Sequence, residues 1–207
     1  MKKAKPLLLY ILILAATASC KKDETPDPSG MKKGYLKIEI GLFIHVNDIS
    51  NSLKSTDAVG DFRVEIYRTD GTQVMVFEKA SGMPDPVELD AGDYYVVAHS
   101  NNRMPAAFEN PYYYGRSDNF TLADNAEQSV VVNYELANSM VTVSYSGNVK
   151  NNFTGYYTVV KEGTDSLVFG ETESRAGFFE PAVLTVRAIL TWDQGGTPAV
   201  KVLTACL

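Results

Sequence analysis

The sequence predicts an all-β protein: a β-sandwich followed by a second, smaller β-sandwich domain that is short of strands. Three observations lead there. After residue 33, apolar and polar residues alternate in short runs along the chain, the period-two pattern of half-buried strands. Glycine and aspartate separate those runs at short spacing, and no stretch carries an amphipathic helical repeat. The length, 207 residues, suits one or two domains.

The chain begins with a basic segment, Met1 to Lys5, followed by the uncharged apolar run Pro6 to Ser19. That run is shorter than the ~20 apolar residues a membrane-spanning helix needs, and it has the size of the apolar region of an export signal. Ala18 and Ser19 immediately precede Cys20, and Thr17 stands where a branched apolar residue is usual. The arrangement resembles a lipobox. It implies a signal peptide over 1–19, cleavage before Cys20 and acylation of its thiol. Lys21, Lys22, Asp23 and Glu24 resemble the export tag of Bacteroidetes-type surface lipoproteins, which implies an outer-membrane, surface-exposed location. Half of residues 20–33 are charged, and with two prolines and a glycine they bury too little apolar surface to fold. They are expected to form a flexible tether from lipid to fold; two or three acyl chains hold firmly where one does not.

The net charge is −6. Losing the leader removes Lys2, Lys3 and Lys5 and leaves 16 basic residues against 25 acidic ones, about −9. Such a surface repels phosphates, so nucleic acid is not an expected partner. With Cys20 acylated, Cys206 is the only free thiol and no intrachain disulfide forms; next to the last residue, it is read as a buried or fraying cysteine.

The first domain is expected over 34–137. Leu36, Ile38, Ile40, Leu42, Ile44 and Val46 share one face of a strand running from Gly34 to Val46, and residues 47–60 read as a loop. Asp61 to Glu78 reads as a hairpin, with Phe62, Val64 and Ile66 on one face and Asp70-Gly71 as a tight two-residue turn that needs positive φ. Pro86 to Ser100 reads as a short strand, a turn at Asp90-Ala91-Gly92 and a longer strand. There, Leu89, Ala91, Gly92, Tyr94 and Val96 resemble the L-x-A-G-x-Y-x-V hairpin of transthyretin-like β-sandwich domains. The resemblance implies that Leu89, Tyr94 and Val96 fill the core.

Pro111, Tyr112, Tyr113 and Gly115, with Leu136, Asn138, Val141 and Val143, resemble two motifs of an uncharacterised lipoprotein family related to fimbrillins, a "P-Y-Y-x-G" loop and an "L-x-N-x-x-V-x-V" junction. That similarity covers about residues 34–145. It implies a cell-surface adhesion or fimbria-associated protein rather than an enzyme. Residues 101–119 have weak periodicity and read as a long loop, of the kind that is usually functional or disordered. Its Tyr112, Tyr113 and Tyr114 either cap the core or contact a glycan or a partner.

The second domain is expected over 138–207, with roughly five strands around Val141–Tyr145, Gly155–Val160, Ser166–Phe169, Val183–Trp192 and Ala199–Thr204. A sandwich usually needs about seven. Either the chain is small or truncated and its edge is guarded by charge, or a partner strand completes it, as the fimbrillin resemblance implies.

No catalytic, metal or cofactor motif appears. His45 and His99 lie on expected strands with no ligand set around them, and nothing has zinc-ligand spacing. Asp118, Asp124 and Glu127 do not follow a calcium-loop pattern. Asp90 and Asp93 are explained by turn chemistry. Asp165-Ser166-Leu167 resembles a D-S/T-aliphatic O-glycosylation site, which implies modification at Ser166. The leading expectation is a non-enzymatic, lipid-anchored surface protein, an adhesin or a fimbrial anchor or accessory subunit, that pairs strands with a fimbrial or surface partner. The alternative is a glycan-binding lipoprotein that uses the tyrosine-rich loop.

Overall fold

Strands form where the alternation is longest, and fifteen of them lie among the residues described by the computed structural model, 32–42 and 59–207. The first, β1 (Lys33–Leu42), buries Leu36 and half-buries Ile38 and Ile40. Phe43 to Val46, with His45, fall outside the described residues. So does most of the expected loop, whose last residues enter a 3-10 turn at Val59–Asp61.

The strands β2 (Arg63–Arg68) and β3 (Gln73–Phe77) form the expected hairpin, with Phe62, Val64 and Ile66 buried. The turn is longer than a two-residue one. The Arg68 N–H donates to the Thr72 carbonyl, the Gly71 N–H donates to the Arg68 carbonyl, and Gly71 takes φ 90°. Three residues therefore bridge the ends, in the pattern of a type I turn completed by a left-handed glycine. The Thr72 N–H donates to Asp70 Oδ1 at 2.8 Å, which is why aspartate suits the position.

The segments β4 (Val87–Asp90) and β5 (Gly92–His99) do not form a hairpin. β4 pairs with β1, whereas β5 pairs with β2, and with β7 (Tyr113–Arg116) and β8 (Phe120–Leu122) along its other edge. Asp90-Ala91-Gly92 is thus a corner at which the chain leaves one edge of the sheet for its middle. A local L-x-A-G-x-Y pattern reports inward and outward positions but not which strand is the neighbour. The inward positions are as expected: Leu89, Tyr94 and Val96 are buried. The Tyr94 hydroxyl donates to the Asp90 carbonyl at 2.7 Å and pins the corner, a device familiar from other sandwiches.

The sheet runs β3-β2-β5-β7-β9-β1-β4, with β9 at Glu127–Leu136 and β8 attached to β5. Among the described strands only β1 and β9 are parallel. The sheet curls around one apolar cluster, which holds Leu36, Phe62, Ile66, Tyr94, Tyr113 and Tyr134. The curl brings β7 hard against β9 at Gly115, where a Cβ would overlap the Asn133 carbonyl.

A three-stranded sheet joins β10 (Ser139–Val141), β13 (Gly177–Phe179) and β6 (Ala106–Phe108) in the order β10-β13-β6. A four-stranded sheet joins β11 (Gly155–Glu162), β12 (Asp165–Phe169), β14 (Thr185–Gln194) and β15 (Thr197–Cys206) in the order β12-β11-β14-β15. Their inner faces enclose a second cluster built on Val160, Phe169, Phe179 and Leu184. Phe108 meets Phe169 edge-on at 5.1 Å. Residues 101–119 are therefore not one long loop, since they contain β6 and β7. Six strands follow residue 138 rather than about five. The extra one, β13, is three residues long and buried at all three, so it shows no alternation to read. One short helix, α1 (Gly147–Asn152), also lies in this part. Among the described residues no helix is long and apolar enough to cross a membrane.

Candidate functional site

The tyrosine run borders a groove of about 230 Å³, lined by Arg103, Met104, Tyr112, Tyr114, Asn138 and Glu180 among others. Three asparagines hold its wall. Asn102 Nδ2 donates to Asn110 Oδ1 at 2.9 Å and to the Pro111 carbonyl at 2.9 Å. Asn110 Nδ2 donates to the Asn102 carbonyl at 2.8 Å. Asn138 Oδ1 accepts the Tyr112 N–H at 3.1 Å, and its Nδ2 donates to the Asn110 carbonyl at 3.3 Å. Asn138 is the asparagine of the junction motif, and this clamp supplies a physical reason for asparagine there.

Across the groove Arg103 Nε donates to Glu180 Oε1 at 2.7 Å, and the guanidinium lies over the Tyr112 ring at 5.9 Å. That hydrogen bond holds the Glu180 carboxyl below the usual glutamate value and raises Arg103. Burial pushes the Tyr112 hydroxyl up, with the Arg103 charge opposing. The His99 ring stands 6.0 Å from Tyr112. The groove thus presents aromatic faces, a paired cation and anion, and a carboxamide, a set suited to binding polar, flat-faced groups. Arg103 and Glu180 are 77 residues apart, and no local pattern in the sequence joins them.

The three tyrosines separate in space. Tyr113 is 2% exposed and belongs to the first core, between Phe62 and Tyr134. Its ring is not available to a glycan or a partner, because β7 turns positions 113 and 115 inward. Tyr112 is half-buried and Tyr114 exposed, so any contact with a ligand falls to these two. Ser166 is exposed at the start of β12. His99 Nδ1 lies 2.9 Å from the Ser100 carbonyl. Asp124 pairs with Lys32 and Glu127 with Lys37, while Asp118 is exposed elsewhere, so those three carboxylates do not converge. Among the described residues no cluster of histidine, cysteine and carboxylate side chains could hold a metal. Cys20, Lys21, Lys22, Asp23, Glu24 and His45 lie outside the described residues.

A second surface is the edge made by β15. Borrowing β6 gives this part seven strands, three facing four, yet the cover does not reach β15. Along one line of register, Phe169, Thr158, Ala188 and Leu203 sit side by side on the inner face. Phe169 is 0% exposed and Thr158 4%, Ala188 is half-buried, and Leu203 is 49% exposed. On the outer face Tyr157, Ile189 and Val202 form a row, with Tyr157, Val202 and the nearby Val200 exposed. Among the described residues, β15 is therefore largely apolar and uncovered on both faces. Among the described residues its outer edge pairs with no strand. Cys206 is free and exposed near its end rather than buried.

The sequence profile of a family described as Domain of unknown function (DUF4493) matches residues 32–203. No curated protein matches the chain. Among solved structures the chain is similar to the fimbrial anchor protein Mfa2 of Porphyromonas gingivalis, at 15% identity over 73% of this chain and 77% of that one, with a TM-score of 0.41. It is similar to a candidate adhesin of Bacteroides ovatus at 8% identity, over 84% and 82% of the two chains, with a TM-score of 0.42. A candidate adhesin of Bacteroides thetaiotaomicron shares 14% identity over 87% of this chain and 72% of its own, with a TM-score of 0.37. Likenesses of this size carry no information about function.

Proposed function

We propose, from the premise that this chain belongs to the DUF4493 family, that it is a lipid-anchored, non-enzymatic protein of the outer-membrane surface. It acts in adhesion or as a fimbrial anchor or accessory subunit, and its working contact is strand addition along β15. The lipobox-like leader ending at Cys20, the tag-like residues 21–24 and the tether support the anchor and the location. The observation that carries the contact is the mismatch between the composition of β15 and its position. A strand apolar on both faces belongs inside a sheet with both faces covered. An edge strand is normally short, charged or bulged to prevent pairing. β15 is ten residues long, pairs with β14 in unbroken register and carries Lys201 as its one charge.

The test uses envelopes of cells making the full chain, run unboiled and boiled in detergent. Added strands resist detergent until the sheet unfolds, so an unboiled band above the monomer is expected, collapsing to monomer on boiling. Val202→Pro removes an N–H from the open edge while sparing the ladder to β14, a placement that proline tolerates. It is expected to run as monomer in both lanes. A wild-type monomer in both lanes sinks the reading.

The groove favours a second reading, a glycan-binding surface lipoprotein. An exposed tyrosine, Tyr114, and a half-buried one, Tyr112, beside a carboxamide and an ion pair are a fit for sugar rings. Under that reading, replacing Tyr112 and Tyr114 together by alanine abolishes retention on immobilised glycans and leaves the unboiled band unchanged. Retention equal to wild type rules it out.

A further inference from the structure

Backbone geometry decides what the β15 edge can accept. Leu184 and Leu207 exchange both backbone hydrogen bonds, and the register from there to the turn is continuous, ending at Gln194 opposite Thr197. In an antiparallel ladder such doubly bonded pairs recur at every second residue. Residues 197, 199, 201, 203, 205 and 207 therefore point their N–H and C=O groups at β14. Pro198, Val200, Val202, Thr204 and Cys206 point theirs away from it. Proline has no N–H, so the usable open edge is Val200 to Cys206.

We infer that the occupant of this edge is the β15 strand of a second copy of the same chain, paired antiparallel across a two-fold axis at Leu203. The inference rests on the strand-addition reading and names its partner. In this register Val200 lies opposite Cys206 of the other copy, and Val202 opposite Thr204. Each outward N–H from Val200 to Cys206 then meets an outward carbonyl. Pro198 falls beyond the ladder. Lys201 lies opposite Ala205, four residues along the strand from the other copy's lysine. A shift of the axis to Val202 puts Pro198 opposite Cys206 and leaves its carbonyl without a donor. A shift to Lys201 sets the two lysines face to face, which is unfavourable at directly opposed positions. A shift to Thr204 takes Leu203 off the axis and sets it opposite Ala205.

The Leu203 register also covers what is bare. Leu203 meets its symmetry mate at a non-hydrogen-bonded pair, where side chains approach most closely, on the face that the three-stranded sheet fails to reach. On the other face Val202 packs beside Thr204 and Val200 beside Cys206. The contact is self-complementary and closed, as a two-fold interface requires, and it joins two four-stranded sheets into one. It sets the cysteines at opposite ends of the ladder, each facing a valine.

Disulfide trapping in the full-length chain tests this, with Cys206→Ser as background. Leu203→Cys places two thiols at the two-fold axis, within the span a disulfide accepts. Lys201→Cys places its thiol opposite alanine. On non-reducing gels of unheated envelopes the greater part of the Leu203→Cys chain is expected to run as a dimer that reductant splits. Lys201→Cys and the background are expected to stay monomeric. A dimer from Lys201→Cys and none from Leu203→Cys overturns the register. If neither links while the unboiled band above the monomer persists, the second-copy partner is overturned and strand addition to another protein stands. If that band is missing too, both fail.

Discussion

Tyr113→Ala is expected to cost about 3–5 kcal/mol of stability, the range for deleting a buried aromatic ring. The side chain stacks on Phe62 at 6.3 Å and meets Tyr134 edge-on at 5.7 Å, so its removal opens a cavity at the centre of the first core. The backbone around it is equally committed. The Tyr113 N–H donates to Ser100 Oγ at 2.9 Å, and its carbonyl accepts the Ser100 N–H at 3.0 Å. A domain is typically stable by only ~5–15 kcal/mol, so a loss of this size leaves a substantial unfolded fraction at physiological temperature. Urea unfolding of the single variants measures it. Tyr112→Ala and Tyr114→Ala, at the rim, are expected to lose about 1 kcal/mol or less. Equal losses at all three positions would remove Tyr113 from the core. The comparison matters for the glycan reading, because a substitution at Tyr113 abolishes binding by unfolding the protein.

Gly115→Ala is expected to destabilise by about 2–3 kcal/mol, near the upper part of the range for overpacking. The added methyl meets the Asn133 carbonyl and stands 2.9 Å from the Tyr134 Cα. These are backbone atoms of β9, and moving them breaks the pairing of Gly115 with Tyr134 in the β7–β9 ladder. The reason for glycine here is space rather than backbone conformation. Gly71 is the contrasting case, open on all sides but held at φ 90°. A shift in the urea midpoint with unchanged slope reports the loss. An unchanged midpoint would mean that β7 and β9 separate without cost.

Much of the fold is legible in the chain because alternation is a local signal. The long runs in β1, β2 and β14 predict their own strands and inward faces, since a strand must place every second residue on the apolar side. The short pieces escape that logic. β6 and β13 have three residues each, too few for a period. The corner between β4 and β5 reads as a hairpin because its inward residues are the same whichever strand lies alongside.

The candidate surfaces divide the same way. The tyrosine run is visible in the residues, whereas the Arg103–Glu180 pair, the burial of Tyr113 between its neighbours and the recruitment of β6 to the second set of strands are not. The residues alone predict an all-β chain, most of its longer strands, its acidic balance and its leader-like start. Tertiary structure alone decides which strands are neighbours, that β6 reaches forward to β13, and that β15 ends the sheet uncovered among the described residues. The physical reason is range. Side-chain alternation and turn chemistry act over a few residues, whereas sheet order is settled by packing between segments tens of residues apart, where many pairings satisfy the same local pattern and only the one that fills both cores survives.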